Sequence, residues 1–442
     1  MERLFNSGWQ FVKKAIGTKM ENHINETGWQ DIDLPHDYLI YQVNDLYETS
    51  IGWYRKKFFL DKEKYDLSTQ QIAIRFDGVY MNSTFYVNNK KVGEWKYGYT
   101  AFEYDITNFL NYGDNELFME VVYECPNTRW YSGAGIYRDV TLITRPHLHF
   151  SSEGIYVSTV EKDDDFILSI NVEIEKSLKK MAYSPCGLGI DVLLKDTDGN
   201  IVINEQYDLS EFDFEMEGAN SWANENETEN EIVYSGSRDF FVASPKRWDI
   251  YKPNLYELKV SLVNLKTGEH FDEKIIKTGF KSVGFDTDLG LIINGHKVKV
   301  HGSCEHHDLG CLGSAFNKEA MRIRMLHLQD MGVNAIRTAH NPAARHLLDL
   351  ADELGMLVMD EILDMWEKPK TEYDYARFFN TWIKKDIKSW IRRDRNHPSV
   401  FMWSIGNEIY DTHASYERGV EIIRMFKEEI SKYDPFENAH IT

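Results

Sequence analysis

The sequence predicts a multidomain protein of the β plus α/β class, on three observations. The chain has 442 residues, which exceeds the length of one ordinary domain. Short runs with strand-like alternation follow one another up to about residue 283. From Gly284 onward, strand patterns alternate with helical patterns, which is typical of an α/β domain built on a parallel sheet.

Residues 1–146 contain short strand patterns separated by turns. Gln71–Phe76 alternates in the manner of a strand, and residues 115–122 form a second strand-like run. Asn88 and Asn89 interrupt a third run, and an asparagine pair is typical of the tight turn of a β-hairpin. The pattern predicts a β-sandwich of the jelly-roll type.

Residues 147–283 are again rich in strand patterns. Residues 189–194 lead into the turn sequence DTDGN at 196–200, and residues 255–263 alternate before the turn sequence KTG at 266–268. The length of this region and the spacing of its turns predict a small immunoglobulin-like β-sandwich.

Residues 284–442 alternate four times between a strand and a helix and then begin a fifth strand. Glycines end the first two helical patterns, at Gly332 and Gly355. Four βα units and a strand stub predict an incomplete TIM (β/α)8 barrel, its first half. The expected strands are residues 298–301, 334–337, 357–361, 401–405 and 439–441.

The composition excludes several classes of protein. The formal net charge is −21, so no basic surface is expected for nucleic acid or for an anionic membrane. No run approaches the ~18 uncharged apolar residues of a membrane span. The N-terminus lacks an apolar secretion signal, so a cytoplasmic location is expected. No disulfide framework is expected from four scattered cysteines: Cys125, Cys186, Cys304 and Cys311.

Asn407 and Glu408 end the fourth expected barrel strand. Catalytic residues of α/β barrels lie at the carboxyl ends of the strands. An acid there can protonate a glycosidic oxygen while a neighbouring amide holds a ring hydroxyl. The alternative is that Glu408 caps the following helix, because acids favour helix N-termini. We predict Glu408 as the catalytic residue and Asn407 as a substrate-binding residue.

Polar residues also follow the other three strands. His307 follows the first, Arg337 and His340 follow the second, and Asp360 and Glu361 end the third. If the barrel forms, these clusters converge with Asn407 and Glu408 on one mouth, and helix capping does not explain four such clusters. Structural alternatives are a capping role for His340 and the pairing of Asp360 with an arginine inside the barrel.

Several motifs resemble those of glycoside hydrolase family 2. In the α/β region they are WSIGNE at 403–408 and RTAHNP at 337–342. Near the N-terminus they are DLPHD at 33–37, GWYRK at 52–56 and WYSGAGIYRDV at 130–140. The resemblance covers all three regions. It implies the family order of a jelly-roll sugar-binding domain at 1–146, an immunoglobulin-like domain at 147–283 and a TIM barrel from 284.

The resemblance implies a role for each site residue. Glu408 matches the general acid/base of the family, and Asn407 matches the residue that contacts the sugar 2-hydroxyl. His340 and His307 match histidines of the sugar site. Arg337 matches an arginine that positions the nucleophile.

Two departures from the family pattern concern sugar contacts and metal. Arg129 stands in a first-domain loop where some members carry a sugar-binding acid, and we expect Arg129 and Asp360 to be substrate-binding residues as well. Some galactosidases of the family bind magnesium through a Glu-x-His motif after the third strand, whereas this chain has DEILDMWE at 360–367. No metal and no other cofactor is therefore expected.

A third departure concerns the nucleophile. In the family it is a glutamate after a later barrel strand, which the resemblance places beyond Thr442. A retaining mechanism needs two carboxylates roughly 5–5.5 Å apart. The chain alone is therefore expected not to turn over glycosides. An exposed apolar barrel interior is also expected, including Val358, Met359, Phe401 and Trp403.

The resulting expectation is a retaining exo-β-glycosidase that acts on a terminal β-linked sugar. A β-galactosidase is expected first. The alternative is a β-glucuronidase of the same family, because the residues that recognise its carboxylate lie largely beyond Thr442. A rival from another class is a non-catalytic sugar-binding protein or one subunit of a split enzyme. The expected partner is a carbohydrate, and the complete protein is expected to be a homo-oligomer.

Overall fold

Two β-sandwiches and one α/β domain follow one another along the chain. The computed structural model describes residues 1–19, 27–41, 44–177, 187–214 and 230–442. Cys186 lies outside these ranges. The three cysteines inside them are free thiols: Cys125, Cys304 and Cys311.

The first domain is a sandwich of antiparallel sheets. Its strands are β1 Glu2–Leu4, β2 Trp9–Lys14, β3 Gln30–Ile32, β4 Ser50–Leu60, β5 Gln70–Phe76, β6 Val79–Tyr80, β7 Ser83–Val87, β8 Lys90–Trp95, β9 Phe102–Asp105, β10 Gly113–Tyr123, β11 Gly135–Ile136 and β12 Val140–Pro146. The sheet orders are β3-β2-β4-β10-β7-β8, β1-β12-β5-β9 and β11-β6. The predicted hairpin is confirmed, because Asn88 and Asn89 turn the chain from β7 to β8 with φ of 48° and 65°.

The second domain is a sandwich of two four-stranded sheets. Its strands are β13 Leu148–Lys162, β14 Asp165–Ser177, β15 Leu188–Lys195, β16 Ile201–Asp208, β17 Asp213–Phe214, β18 Asn230–Val242, β19 Tyr256–Asn264 and β20 His270–Thr278. The sheet orders are β13-β14-β18-β17 and β16-β15-β19-β20. In β15 every second side chain is buried, as expected for a strand with one face in a core: Leu188, Ile190, Val192 and Leu194.

The third region carries a small antiparallel sheet and a parallel sheet of order β24-β25-β26-β27-β28. The small sheet consists of β21 Val283–Asp286, β22 Gly290–Ile293 and β23 His296–Lys297. The parallel strands are β24 Gly302–Glu305, β25 Ala335–Thr338, β26 Leu357–Glu361, β27 Val400–Ser404 and β28 His440–Ile441. The helices are α1 Lys318–Asp330, α2 Arg345–Leu354, α3 Ala376–Asp394, α4 Asp411–Ala414 and α5 Tyr416–Tyr433.

The helices begin and end where local chemistry dictates. The side chain of Asn317 caps α1 by accepting from the backbone N–H of Ala320 at 2.9 Å, and Ser415 caps α5 in the same way. Gly355 ends α2 in the left-handed conformation, with φ of 71°. None of the helices in the described ranges is long and apolar enough to cross a lipid bilayer.

The strand predicted at residues 298–301 is wrong. These residues lie between β23 and β24, and they connect the small antiparallel sheet to the parallel sheet. The backbone N–H of Val298 donates to the carbonyl of Leu291 at 2.9 Å, which continues the small sheet for one residue. Alternating side chains indicate an extended backbone, but they do not show whether a neighbouring strand is available for pairing.

The expected exposure of the apolar barrel residues is wrong for three of the four residues. Val358 and Trp403 are fully buried, and the ring of Trp403 lies 5.1 Å from that of Trp390 in α3. Phe401 is also buried, and Met359 is partly buried. The small sheet covers Phe401 in one cluster, which also contains Trp248, Leu291, Ile293, Ala335 and Leu357.

The first domain packs directly on the α/β domain. The rings of Trp95 and Trp382 meet edge to face at 5.7 Å. Arg138 is almost fully buried and donates to the carbonyls of Tyr99 and Pro342, at 2.9 and 2.8 Å. Because buried carbonyls need partners, this arginine holds the two domains in one arrangement.

Asp37 ties a first-domain loop, residues 128–134, to the α/β domain. Its buried carboxylate accepts hydrogen bonds from the backbone N–H groups of Leu39, Ala134 and Ser314, at 2.9–3.0 Å. The hydroxyl of Tyr131 donates a fourth at 2.6 Å. A carboxylate has about four acceptor positions, so the group is saturated and the loop is fixed from two sides.

His346 joins the first domain to α2. Its Nε2 lies 3.0 Å from Asp139, and its Nδ1 lies 3.0 Å from Asp349. The hydrogen bond to Asp139 and then the one to Asp349 raise the pKa of His346 to about 9. Because this folded-state pKa lies above the ordinary value, the charged histidine stabilises the fold fully below pH ~6.5. The contribution is lost as the pH rises toward 9.

We expect the variant His346→Gln to remove this pH dependence. The difference in melting temperature between the unmodified protein and the variant should be largest near pH 6 and shrink between pH ~6.5 and 9. His327→Gln, on the exposed face of α1, is the matched control. A difference that stays constant over this pH range would contradict the assignment.

Candidate active site at the carboxyl ends of the parallel strands

The parallel strands bring most of the predicted site residues to one edge of the sheet. β25 ends at Thr338, β26 at Glu361 and β27 at Ser404, and Glu361 lies beside Ser404 in the strand register. His340 and Asn407 follow two of these ends within three residues. Since all carboxyl ends of parallel strands meet at one edge, residues far apart in sequence become neighbours.

Glu408 is the exposed carboxylate of this edge. Its side chain is 66% exposed, and Oε2 lies 3.1 Å from Nη1 of Arg129. Its backbone φ is +46°, in the left-handed region that residues with a side chain rarely adopt. Such strained residues are concentrated at functional sites. Glu408 therefore has the access that a general acid needs to reach a substrate.

Arg129 reaches the site from the first domain. Its Nε and Nη2 donate to both carboxylate oxygens of Asp364, at 3.1 and 2.7 Å, and its Nη1 pairs with Glu408. Burial of Asp364 opposes ionisation, but hydrogen bonds from Arg129, Lys370 and Asn407 hold its pKa below the ordinary value. Arg129 thus joins the two domains at the carboxylate predicted to be catalytic.

The side-chain amide of Asn407 has a defined orientation. Its Oδ1 accepts from Nη2 of Arg337 at 3.0 Å, and its Nδ2 donates to Oδ1 of Asp364 at 2.8 Å. A guanidinium only donates and an ionised carboxylate only accepts, so exchanging the two amide atoms would break both bonds. One amide N–H remains to donate to a ligand hydroxyl.

Glu361 sets the tautomer of His340. Oε1 of Glu361 lies 2.6 Å from Nδ1 of His340, while the hydroxyl of Ser404 donates to Oε2 at 2.6 Å. Nη2 of Arg337 lies 2.9 Å from the same Nδ1, but a nitrogen that donates to a carboxylate cannot accept from a guanidinium. Nδ1 therefore carries the proton. Nε2 has no hydrogen-bond partner in the described part of the chain, which leaves it for a ligand.

Aromatic rings form one wall beside His340. The ring of Trp130 lies 5.5 Å from that of His340, and His306 lies 5.6 Å from His340 and 5.2 Å from Trp130. The indole N–H of Trp130 donates to the hydroxyl of Tyr99 at 3.2 Å, which fixes the ring. Apolar rings with a few polar groups between them are typical of small-molecule sites.

His307 lies apart from this cluster. Its Nε2 lies 2.9 Å from the carbonyl oxygen of Ser132, and its ring packs against Tyr99 and Tyr137. Burial lowers the pKa of His307 to about 4, so the ring is neutral at ordinary pH. In this structure His307 holds the first-domain loop, and its predicted sugar contact stays a prediction.

Asp360 points away from the predicted mouth. Its carboxyl group is fully buried and accepts a hydrogen bond from the indole N–H of Trp390 in α3, at 2.7 Å. Burial, and then the nearby charge of Asp394, raise its pKa well above the ordinary value. Successive side chains of a strand face opposite sides, so Glu361 reaches the site while Asp360 faces the helix. In this structure Asp360 contacts α3, and its predicted contact with substrate stays a prediction.

Three residues of the cluster were not among the predicted site residues. They are Glu361, Asp364 and Lys370. The Nζ of Lys370 donates to Asp364 at 2.8 Å and to the backbone carbonyl of Asn407 at 2.7 Å. Asp364 stands in the run DEILDMWE, whose spacing carries no metal-ligand motif and no other signal for this residue. Lys370 lies in a loop without a periodic pattern, so no sequence signal indicated it.

Together these groups define a class of protein. An exposed carboxylate stands beside an oriented amide, a histidine with a free ring nitrogen and an aromatic wall, at the carboxyl ends of parallel strands. That combination fits acid/base chemistry on a ligand with many hydroxyl groups, which is the chemistry of a glycoside hydrolase.

The chain belongs to glycosyl hydrolase family 2. Three models of this family match it in the family order. The sugar binding domain matches residues 29–146, a further domain of the family matches residues 153–281, and the TIM barrel domain matches residues 287–435. The predicted family membership is confirmed, while the boundaries at 146/147 and 283/284 stay predictions.

Similar proteins carry two different activities in their names. A β-galactosidase of Bacteroides ovatus is 36% identical over 92% of this chain and 46% of its own length. A putative β-glucuronidase of Formosa agariphila is 33% identical over 96% of this chain and 40% of its own length. The crystal structure of a family 2 member from Bacteroides cellulosilyticus has a TM-score of 0.84 and 31% identity, over 98% of this chain and 55% of that one. The chain thus spans about half the length of these relatives.

Proposed function

We propose that this chain is part of a retaining exo-β-glycosidase that acts on β-galactosides. The proposal rests on the pair Asn407 and Glu408, in which an exposed carboxylate follows an oriented amide at the end of a parallel strand. Glu408 protonates the leaving oxygen in the first step and deprotonates water in the second. Asn407 donates its remaining amide N–H to the sugar 2-hydroxyl, and His340 offers Nε2 to another hydroxyl.

The nucleophile belongs, in this proposal, to a part of the full-length protein outside residues 1–442. A retaining enzyme needs a second carboxylate roughly 5–5.5 Å from the first, and it becomes covalently bonded to the sugar. Support comes from the share of each relative that the chain covers, 46% and 40% for the two named above. The same missing part would close the five parallel strands into a TIM barrel.

Within residues 1–442, Arg129 offers no free cation for a glucuronide carboxylate, although the residues of the family that recognise this group are expected largely outside this range. A glucuronide carboxylate is expected to pair with a cation, and Arg129 is an arginine that contacts Glu408. All three of its nitrogens already contact carboxylates, those of Asp364 and Glu408. Binding a third carboxylate would require these pairs to break. β-Glucuronide hydrolysis is the second candidate, because a relative named as a putative β-glucuronidase is 33% identical.

We expect the full-length protein that contains this chain to hydrolyse aryl β-galactosides with a higher kcat/KM than aryl β-glucuronides. Side-by-side kinetics on the two substrates, with an aryl α-galactoside as the stereochemical control, measure this. Proton NMR of the first product should show the β-anomer, because double displacement retains configuration. Residues 1–442 alone should give no turnover. A higher kcat/KM on the glucuronide would overturn the substrate, and sugar binding without hydrolysis would identify a non-catalytic sugar-binding protein.

A further inference from the structure

A buried lysine lies directly behind the candidate site. Only 1% of the Lys370 side chain is exposed, and 1% of its partner Asp364. Its Nζ lies 2.8 Å from Oδ1 of Asp364 and 2.7 Å from the backbone carbonyl oxygen of Asn407. It also lies 5.4 Å from the ring centroid of Tyr410. With both groups this deeply buried, Lys370 has no access to a sugar on the open side of Glu408.

The contacts of Lys370 complete the immobilisation of Asn407. The backbone N–H of Asn407 donates to the carbonyl of Leu363 at 3.1 Å, and its side chain is held by Arg337 and Asp364. Lys370 holds the backbone carbonyl. Every polar group of Asn407 therefore has a partner, and two of the four depend on the pair of Lys370 with Asp364.

A buried ion pair of this kind is not explained by stability. Taking two charges out of water costs about as much as their attraction returns, and apolar replacements are often neutral. Asp364 of this pair also accepts two hydrogen bonds from Arg129, one on each carboxylate oxygen. One pair thus fixes the amide on one side of Glu408 and the guanidinium on the other.

We propose that Lys370, acting through Asp364, is a positioning residue that aims the amide of Asn407 at the 2-hydroxyl of the bound sugar. This rests on the proposed glycosidase function. An amide that shifts by about 1 Å loses the hydrogen bond it makes in the transition state, and such a displacement lowers kcat by up to about 100-fold. Removing the lysine should therefore cost substrates that carry a 2-hydroxyl more than substrates that lack it.

The experiment compares an aryl β-galactoside with its 2-deoxy analogue in the full-length protein. The measured quantity is the ratio of their kcat/KM values. Lys370→Met should lower this ratio about 10- to 100-fold, Asn407→Ala should lower it as well, and the double variant should be no lower than Asn407→Ala alone. Lys368→Met, an exposed lysine of the same loop, should leave the ratio unchanged. A merely structural role would lower kcat/KM for both substrates equally and keep the ratio, which would overturn the proposal.

A crystal structure of the Lys370→Met protein separates this proposal from the proposed function. The Asn407 amide should leave its hydrogen-bonding position beside Asp364. An unmoved amide would overturn the positioning role whether or not the protein hydrolyses glycosides. A displaced amide in a protein without glycosidase activity would support the positioning role and reject only the proposed function.

Discussion

In the full-length enzyme, Glu408→Gln is expected to lower kcat/KM by about 10²–10⁴-fold for β-galactosides with poor leaving groups. Glutamine keeps the shape of the side chain but has no acidic proton to give to the leaving oxygen. Activated aryl galactosides, whose leaving groups depart without protonation, should still form the glycosyl-enzyme intermediate. Their turnover should then slow in the second step, since water lacks its general base.

Two measurements make this expectation specific to Glu408. Azide attacks without general-base help, so adding it should restore turnover of the activated substrate and give a β-galactosyl azide. Glu428→Gln, an exposed glutamate on α5, should behave as the unmodified protein. An equal loss on both kinds of leaving group, without rescue by azide, would show that Glu408 does not transfer the proton.

Arg392→Met is expected to reduce the free energy of unfolding by about 3 kcal/mol. Arg392 of α3 makes a bidentate pair with Glu173 of β14, at 2.9 and 2.6 Å, and the two side chains are 5% and 17% exposed. Burial opposes ionisation of Glu173, but Arg392 holds its pKa below the ordinary value. Removing the arginine leaves a buried charge. The effect lies at the low end for such pairs, because Arg395 and Lys388 also act on Glu173.

A double variant tests whether the lone charge is the cause. Arg392→Met with Glu173→Leu replaces the pair by apolar groups, so most of the lost stability should return. Denaturant unfolding of the single, double and unmodified proteins measures this, with Arg424→Met on the exposed face of α5 as control. A double variant as unstable as the single one would point to lost packing of the arginine stem instead.

Local periodicity predicted a large part of this fold. The hairpin at Asn88 and Asn89 and the end of α2 at Gly355 depend on backbone conformations that few residue types adopt, so their sequence signals are strong. The strand expected at 298–301 failed because pairing depends on a neighbour that the local pattern does not specify. The expected exposure of Phe401 was wrong for a related reason. The small sheet that covers this residue is formed by residues more than 100 positions earlier in the sequence.

The residues of the candidate site also fall into two groups, those that a local sequence pattern predicts and those that it does not. Asn407 and His340 were predicted because each follows an expected strand and lies within a recognisable motif. The choice between Asp360 and Glu361 required the strand face, which a one-residue shift inverts. The contact of Arg129 with Asp364 joins residues 235 positions apart in the sequence, and a local sequence pattern cannot predict a contact between residues so far apart.

The hold of Asp37 on the loop at 128–134 has an evolutionary consequence. Arg129 and Trp130 reach the candidate site from the first domain, whereas Asn407 and Glu408 belong to the α/β domain. Substitutions in this loop at positions other than Arg129 would change the residues around a ligand without changing a contact of Glu408. A change in ligand preference could therefore arise through substitutions in the first domain, while the α/β domain stays unchanged. A homologue that keeps Asp37 would keep the position of this loop, even where other residues of the loop have changed.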